Sequence, residues 1–126
     1  MATILDPGGT VTVVYNKSGT VIVDLAAAGT DQSTAASIPY YAGHTVAVVT
    51  PQENEFSVLL PAGADVGDVV EIYSTRIDLP GVPVRVFPQT GENINRQPNE
   101  FIEVTRINGL RCIKVSVVQW QSIKGA

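Results

Sequence analysis

The chain has 126 residues and a mass of 13.4 kDa, the length of a single domain. Val (19), Ile (10) and Thr (11) supply 40 of its residues and charged residues only 16 %, which favours pleated sheet and excludes helical bundles, coiled coils, collagen and disorder. A net charge of −4, a pI near 4.7 and the lack of any Lys/Arg cluster exclude duplex nucleic acid as a partner.

Residues 1–9 (Met-Ala-Thr-Ile-Leu-Asp-Pro-Gly-Gly) read as an N-terminal arm. The apolar pair Ile4-Leu5 runs into Asp6-Pro7-Gly8-Gly9, a strong break. Residues 10–126 read as one β domain without an internal boundary. Thr10–Tyr15 and Thr20–Leu25 flank Asn16-Lys17-Ser18-Gly19 and predict a hairpin. Residues 26–37 are small and polar, and Gly29-Thr30 interrupts any helical stripe, so a loop is expected. Strand signals resume at Thr45–Thr50, which stops at Pro51, and at Glu55–Leu60, which stops at Pro61. Gly67–Tyr73 follows, with Val70 and Ile72 on one face and Val69, Glu71 and Tyr73 on the other.

Val82–Phe87 predicts a strand with Val82, Val84 and Val86 on one face. Pro83 has no N–H to give a ladder, which places that strand at an edge or on a bulge. Residues 88–99 read as a polar loop. Glu100–Thr105 and Arg111–Val117 flank Asn108-Gly109, a strong short hairpin signal. Alternation turns Ile102 and Val104 inward on one strand and Ile113, Val115 and Val117 inward on the other. On that reading Val115→Asp buries an unpaired charge and unfolds or de-oligomerises the protein. Val118–Ile123 closes the series. Eight to nine short strands with no alternating helix pattern predict an all-β fold, an antiparallel β-sandwich or barrel, jelly-roll-like, with a short extended arm. No fixed-period repeat is apparent.

Few residues offer chemistry. His44 is the single histidine and Cys112 the single cysteine. No GxSxG elbow accompanies His44, and Ser18 is a plain turn serine. A small hydrolase would rest on His44 and scattered carboxylates alone. Glu53 with Glu55, and Asp65 with Asp68, are carboxylate pairs without the marks of a glycosidase cleft or a calcium loop. Cys112 has no internal disulfide partner and no zinc-type spacing, and reads as a small packed strand residue. Gly8-Gly9 precedes no helix and makes no phosphate loop. No cofactor, no metal and no catalytic set are expected. No signal peptide and no apolar run of membrane-spanning length are visible, so no membrane partner is expected and a chain made and used, or assembled, inside a cell fits best. Tyr15, Tyr40, Tyr41, Tyr73 and Trp120 are candidates for a sugar-stacking platform. Adjacent Tyr40 and Tyr41 point to opposite faces on a strand, and Trp120 fits better as a seal on the core or a subunit contact. Residues 1–63 carry a net −4 and residues 64–126 a net zero. Head-to-tail pairing of subunits could use this, although ordinary solvated charges explain it as well.

Three phrases of the second half carry a resemblance: Leu60-Pro-Ala-Gly-Ala-Asp-Val-Gly-Asp-Val-Val-Glu-Ile-Tyr73, Val84-Arg-Val-Phe-Pro-Gln-Thr-Gly-Glu-Asn-Ile-Asn95 and Ile113-Lys-Val-Ser-Val-Val-Gln-Trp-Gln-Ser-Ile123. Over about half the chain, their cadence resembles the small β-rich virion proteins of tailed bacteriophages, most of all the head decoration (cement) proteins. The resemblance implies a homotrimer that binds the major capsid protein on the outer surface of the head, is made in the host cytoplasm, stabilises the shell and has no active site. The N-terminal half matches nothing by eye. Ala2, Thr3, Ile4, Leu5 and Asp6 become the candidate anchoring arm, with Tyr40, Tyr41 and Trp120 as further capsid or subunit contacts. Residues 2–6 could equally form an edge strand of their own domain. The alternative is a tail fibre, spike or adaptor module that binds carbohydrate.

Overall fold

A computed structural model describes residues 2–5, 12–16, 19–75, 83–104 and 109–124. Asp6 and the rest of the Asp-Pro-Gly-Gly break, Lys17-Ser18, Val82, Thr105 and Asn108 lie outside the described residues. The strands are β1 (Ala2–Leu5), β2 (Thr12–Asn16), β3 (Gly19–Ala26), β4 (Ala36–Ser37), β5 (His44–Thr50), β6 (Ser57–Leu59) and β7 (Val69–Ser74). They continue with β8 (Val84–Phe87), β9 (Asn93–Ile94), β10 (Gln97–Pro98), β11 (Ile102–Val104), β12 (Leu110–Ser116) and β13 (Gln119–Lys124). The fold is all-β, and no helix occurs among the described residues.

The chain winds. From β3 to β8 successive strands alternate between a nine-stranded first sheet and a four-stranded second sheet. Within the first sheet β3, β5 and β7 pair in parallel, and within the second β4, β6 and β8 do the same. This is a coil of β-solenoid type, and the mixed sheets replace the expected antiparallel, jelly-roll-like pairing. The cause is the phase of the chain. Thr20 pairs with Thr45 and Thr45 with Val70, each step being 25 residues. Each return to the first sheet therefore travels in the same direction as the last. Thr20-Val-Ile-Val23 and Thr45-Val-Ala-Val48 are the visible trace of that repeat. In the second sheet the steps are 22 residues (Ala36 to Val58) and 28 (Val58 to Val86), because the corners absorb different lengths. β3 carries one extra residue between Ile22 and Leu25, a bulge that keeps both side chains buried.

The core lies between the two sheets. Ile22, Ala47, Ile72 and Leu110 form one cross-strand row, and Thr20, Thr45, Val70 and Cys112 the next. Val58, Val84, Val86 and Val104 answer them from the second sheet. Apolar surface removed from water stabilises at about 25 cal/mol per Å², so these rows hold the coil shut.

Antiparallel strands flank the coil. The β2–β3 hairpin forms as expected, with Asn16 opposite Gly19. Ala2–Leu5 lie antiparallel to β2 at the edge of the first sheet, which is the edge-strand form of the arm. The other end differs from expectation. β11 joins β8 in the second sheet and β12 joins β7 and β13 in the first, so no hairpin spans Asn108-Gly109. Gly109 serves a different need. Its φ is +73°, and a Cβ there would stand 2.6 Å from the Tyr73 ring. β8 lies between β6 and β11, and Pro83 precedes it, so the strand is not an edge. The stretch 88–99 contains a small hairpin, β9–β10, around Asn95-Arg96, both with positive φ.

The inward face of β12 is also the reverse of the one expected. Leu110, Cys112 and Lys114 are buried, while Ile113, Val115 and Val117 are exposed, Val117 to 81 %. Residues paired directly across a ladder share a face. Leu110 pairs with Ile72 and Cys112 with Val70, so β7 sets the phase of β12. Val104 is buried as expected, and Ile102 is half-buried against the core.

Val115→Asp is therefore expected to change stability by no more than about 0.5 kcal/mol, whereas Ile72→Ala costs about 2–5 kcal/mol. Urea unfolding of both variants checks the facing; a large loss for Val115→Asp overturns it.

Candidate functional site

Lys114 enters the interior because a partner awaits it. Its Nζ donates to Glu92 Oε2 at 2.9 Å, with only 2 % of the side chain exposed. Trp120, fully buried, donates Nε1–H to the other oxygen of the same carboxylate at 3.1 Å. The ammonium also lies 5.1 Å from the Trp120 ring centroid. Glu92 is brought there by the β9 segment, whose Asn93 N–H donates to the Val118 carbonyl.

Asp68 extends this network. Its carboxylate accepts N–H bonds from Gly43 and Asp65, both at 2.9 Å. Lys114 N–H donates to its backbone carbonyl. Burial pushes the Asp68 carboxyl upward, but the Asp65 and Gly43 N–H groups, the Tyr40 hydroxyl and the Lys114 charge outweigh it and hold it below the ordinary value. The same bond to Asp68, aided by burial, pushes the Tyr40 phenol up to about 12. Burial alone pushes the Cys112 thiol up to about 12.

These placements sort the sequence candidates. Trp120 seals the core, so its ring offers no surface to a glycan or a shell while the fold is intact. Tyr40 is exposed and tied through its hydroxyl to Asp68, and Tyr41 packs on the core. Tyr40 and Trp120 stand at opposite ends of one polar network instead of forming a platform. Ala2, Thr3, Ile4 and Leu5 make β1, and Asp6 is outside the described residues. Asp65 and Asp68 close a turn, and Glu53 and Glu55 flank an exposed turn at Asn54. Among the described residues no group of three or more His, Cys, Asp or Glu side chains is placed to hold a metal ion.

The outer faces of the two sheets differ. On the second sheet Arg85 stacks between Phe56 and Phe101, 5.1 and 4.4 Å from their centroids, and meets Glu103 at 3.4 Å. Charged and aromatic side chains of the chain itself thus occupy that face. The first sheet presents an apolar outer face: Val21, Val46, Val48 and Val69 are half-buried, and Ile113 and Ile123 are exposed, Ile123 to 64 %. Glu71 stands within it. Its Oε1 accepts from Arg111 Nε at 3.1 Å and lies 3.5 Å from His44 Nε2, while Oε2 accepts from the Tyr73 hydroxyl at 3.3 Å. Burial, then the Glu71 charge, raises the Tyr73 phenol. His44 thus stands beside the Glu71–Arg111 ion pair on a sheet face. Strands apolar on both faces belong to sheets that are covered on both sides, which makes this outer face the candidate functional site. Sequence reasoning missed it because it assigned Ile113 and Val115 to the core. The near-continuous apolar run of β5, Thr45-Val-Ala-Val-Val-Thr50, was the available signal.

No family model, no curated protein and no solved structure matches the chain.

Two outcomes are expected for the network. Glu92→Gln strands a buried ammonium and costs about 3–5 kcal/mol, and adding Lys114→Met in the same chain recovers most of it; denaturant titration of the single and double variants measures the recovery. The Asp68 carboxyl is lowered in the fold, so its contribution is whole above its unfolded pKa, about 3.9, and fades as pH falls through the folded value. The melting temperature is expected to fall on acidification through that window, and less steeply in Asp68→Asn than in the native chain.

Proposed function

We propose that this chain is a structural module that works by adhesion, a head decoration (cement) protein of a tailed-phage virion. It binds the major capsid protein on the outer surface of the head as an oligomer and is made in the host cytoplasm. The observation that carries the reading is the apolar outer face of the first sheet, with Ile113 and Ile123 exposed on it. Contiguous exposed apolar surface of this kind is a mark of interaction sites. The polar groups that might suggest chemistry have structural duties: Lys114, Glu92 and Asp68 hold strands and corners together. The resemblance of the second half to virion proteins names the kind of partner. The edge position of β1 adds a second contact element, since an edge strand presents a row of backbone donors and acceptors to another chain.

A second reading, a tail fibre, spike or adaptor module, is favoured by the stacked coils, because solenoids extend by adding turns and offer long binding surfaces. Its carbohydrate-binding form loses Trp120, which is interior.

Particles assembled with and without the protein separate these readings. Under the decoration reading, particles lacking it release DNA at a lower temperature, and a labelled chain decorates heads. Equal release temperatures overturn the cement role, and label confined to tails selects the second reading.

A further inference from the structure

We propose, resting on the adhesive role above, that the outer face of the first sheet is a contact between two copies of this chain related by a twofold axis. The axis runs parallel to the strands, above the sheet and between β7 and β12. The argument comes from the register. Glu71 pairs directly with Arg111 across these two strands. Rotation about such an axis lays β7 of one copy over β12 of the other at the same height. Each Arg111 then faces the second copy's Glu71.

The neighbouring positions repeat the pattern. One strand farther out, Val46 lies beside Glu71 and Ile123 beside Arg111, so the axis brings Val46 over Ile123. In the next row Val69 pairs with Ile113, flanked by His44 and Gln121. There the axis brings Val69 over Ile113 and His44 over Gln121. Charge meets opposite charge, apolar meets apolar and polar meets polar, with a single operation and no further adjustment. This is the self-complementarity that an isologous interface requires. It also gives the Arg111 side chain, 55 % exposed beside a Glu71 that is only 20 % exposed, a second carboxylate to meet.

The area fits a modest contact. The four strands that the axis pairs, β5 with β13 and β7 with β12, lie about 4.8 Å apart and each show roughly 15–20 Å of length, which gives roughly 300–400 Å² in projection per copy. Two such faces total roughly 600–800 Å², the size of weak, transient contacts, so association no tighter than the micromolar range is expected. The symmetry is twofold, against the threefold that the resemblance implies.

Sedimentation equilibrium of the purified chain over about 1–300 µM, a range set to bracket that affinity, provides the test. The native chain is expected to reach a dimer mass. Glu71→Arg and Arg111→Glu place like charges across the axis, and each alone is expected to associate at least about tenfold more weakly. An equimolar mixture of the two variants restores opposite charges in trans and is expected to form heterodimers. Ile123→Glu, at an exposed position, is expected to abolish the dimer with an unchanged melting temperature, and serves if a charge variant misfolds. A native chain that stays monomeric or forms trimers overturns the twofold contact. So does a mixture that stays monomeric, or an Ile123→Glu chain that still dimerises. Native trimers or monomers that nonetheless raise the DNA-release temperature overturn this inference and leave the decoration role standing; dimers without that effect do the reverse.

Discussion

The ion pair between Lys114 and Glu92 is the constraint on which the rest depends. β12 carries one cation on each face, Arg111 beside Ile113 and Val115 on one and Lys114 beside Leu110 and Cys112 on the other, so alternation and transfer energies alone do not choose between them. Pairing with β7 requires the Lys114 face to point inward, and an isolated ammonium there would cost several kcal/mol. Glu92 removes that obstacle by meeting Lys114 at 2.9 Å, and Trp120 shields the pair from water while using the same carboxylate. The consequence reaches the opposite side of the sheet. With Lys114 inside, Ile113 and Val115 must lie outside, and an apolar surface is left on the exterior of the coil. The polar interior and the apolar exterior are two aspects of one choice of phase.

How much of this was legible in the sequence follows from the range of each interaction. Val70 and Ile72 inward, Glu71 and Tyr73 outward, and the β2–β3 hairpin are short-range matters of alternation and turn chemistry, and the residues state them directly. The direction of pairing is different. Hairpins announce themselves by a turn, but parallel strands 25 residues apart are joined by corners with no shared pattern: Ala-rich after β3, Pro51 and two glutamates after β5. Only Thr-Val-x-Val survives from one coil to the next, too little to read as a repeat. The Asn108-Gly109 signal pointed to a hairpin because its flanks alternate well, yet each flank found a better partner elsewhere, β8 for one and β7 with β13 for the other. The facing of β12 was hidden for the same reason, since the partner that makes Lys114 tolerable lies 22 residues away in a stretch that reads as a polar loop.

The site was legible only in part. Glu71 and Tyr73 could be placed on the outer face from β7 alone. That Arg111 stands beside them depends on the β7–β12 register, which no local pattern encodes. The aromatic residues that drew attention as a possible platform proved to be structural: Trp120 fills the core, and Tyr40 ties its hydroxyl to Asp68. Trp120, Lys114, Glu92 and Asp68 hold the coil together here, and the surface left for recognition sets valines and isoleucines around the Glu71–Arg111 pair.

Cys112 carries one more consequence. Its sulfur sits fully buried in the row formed with Thr20, Thr45 and Val70, and its proton is held far above the pH of ordinary surroundings. Oxidants and disulfides react with the exposed thiolate, and the closed fold presents none. While the fold stays closed, Cys112 therefore offers no thiolate from which an adventitious crosslink could start.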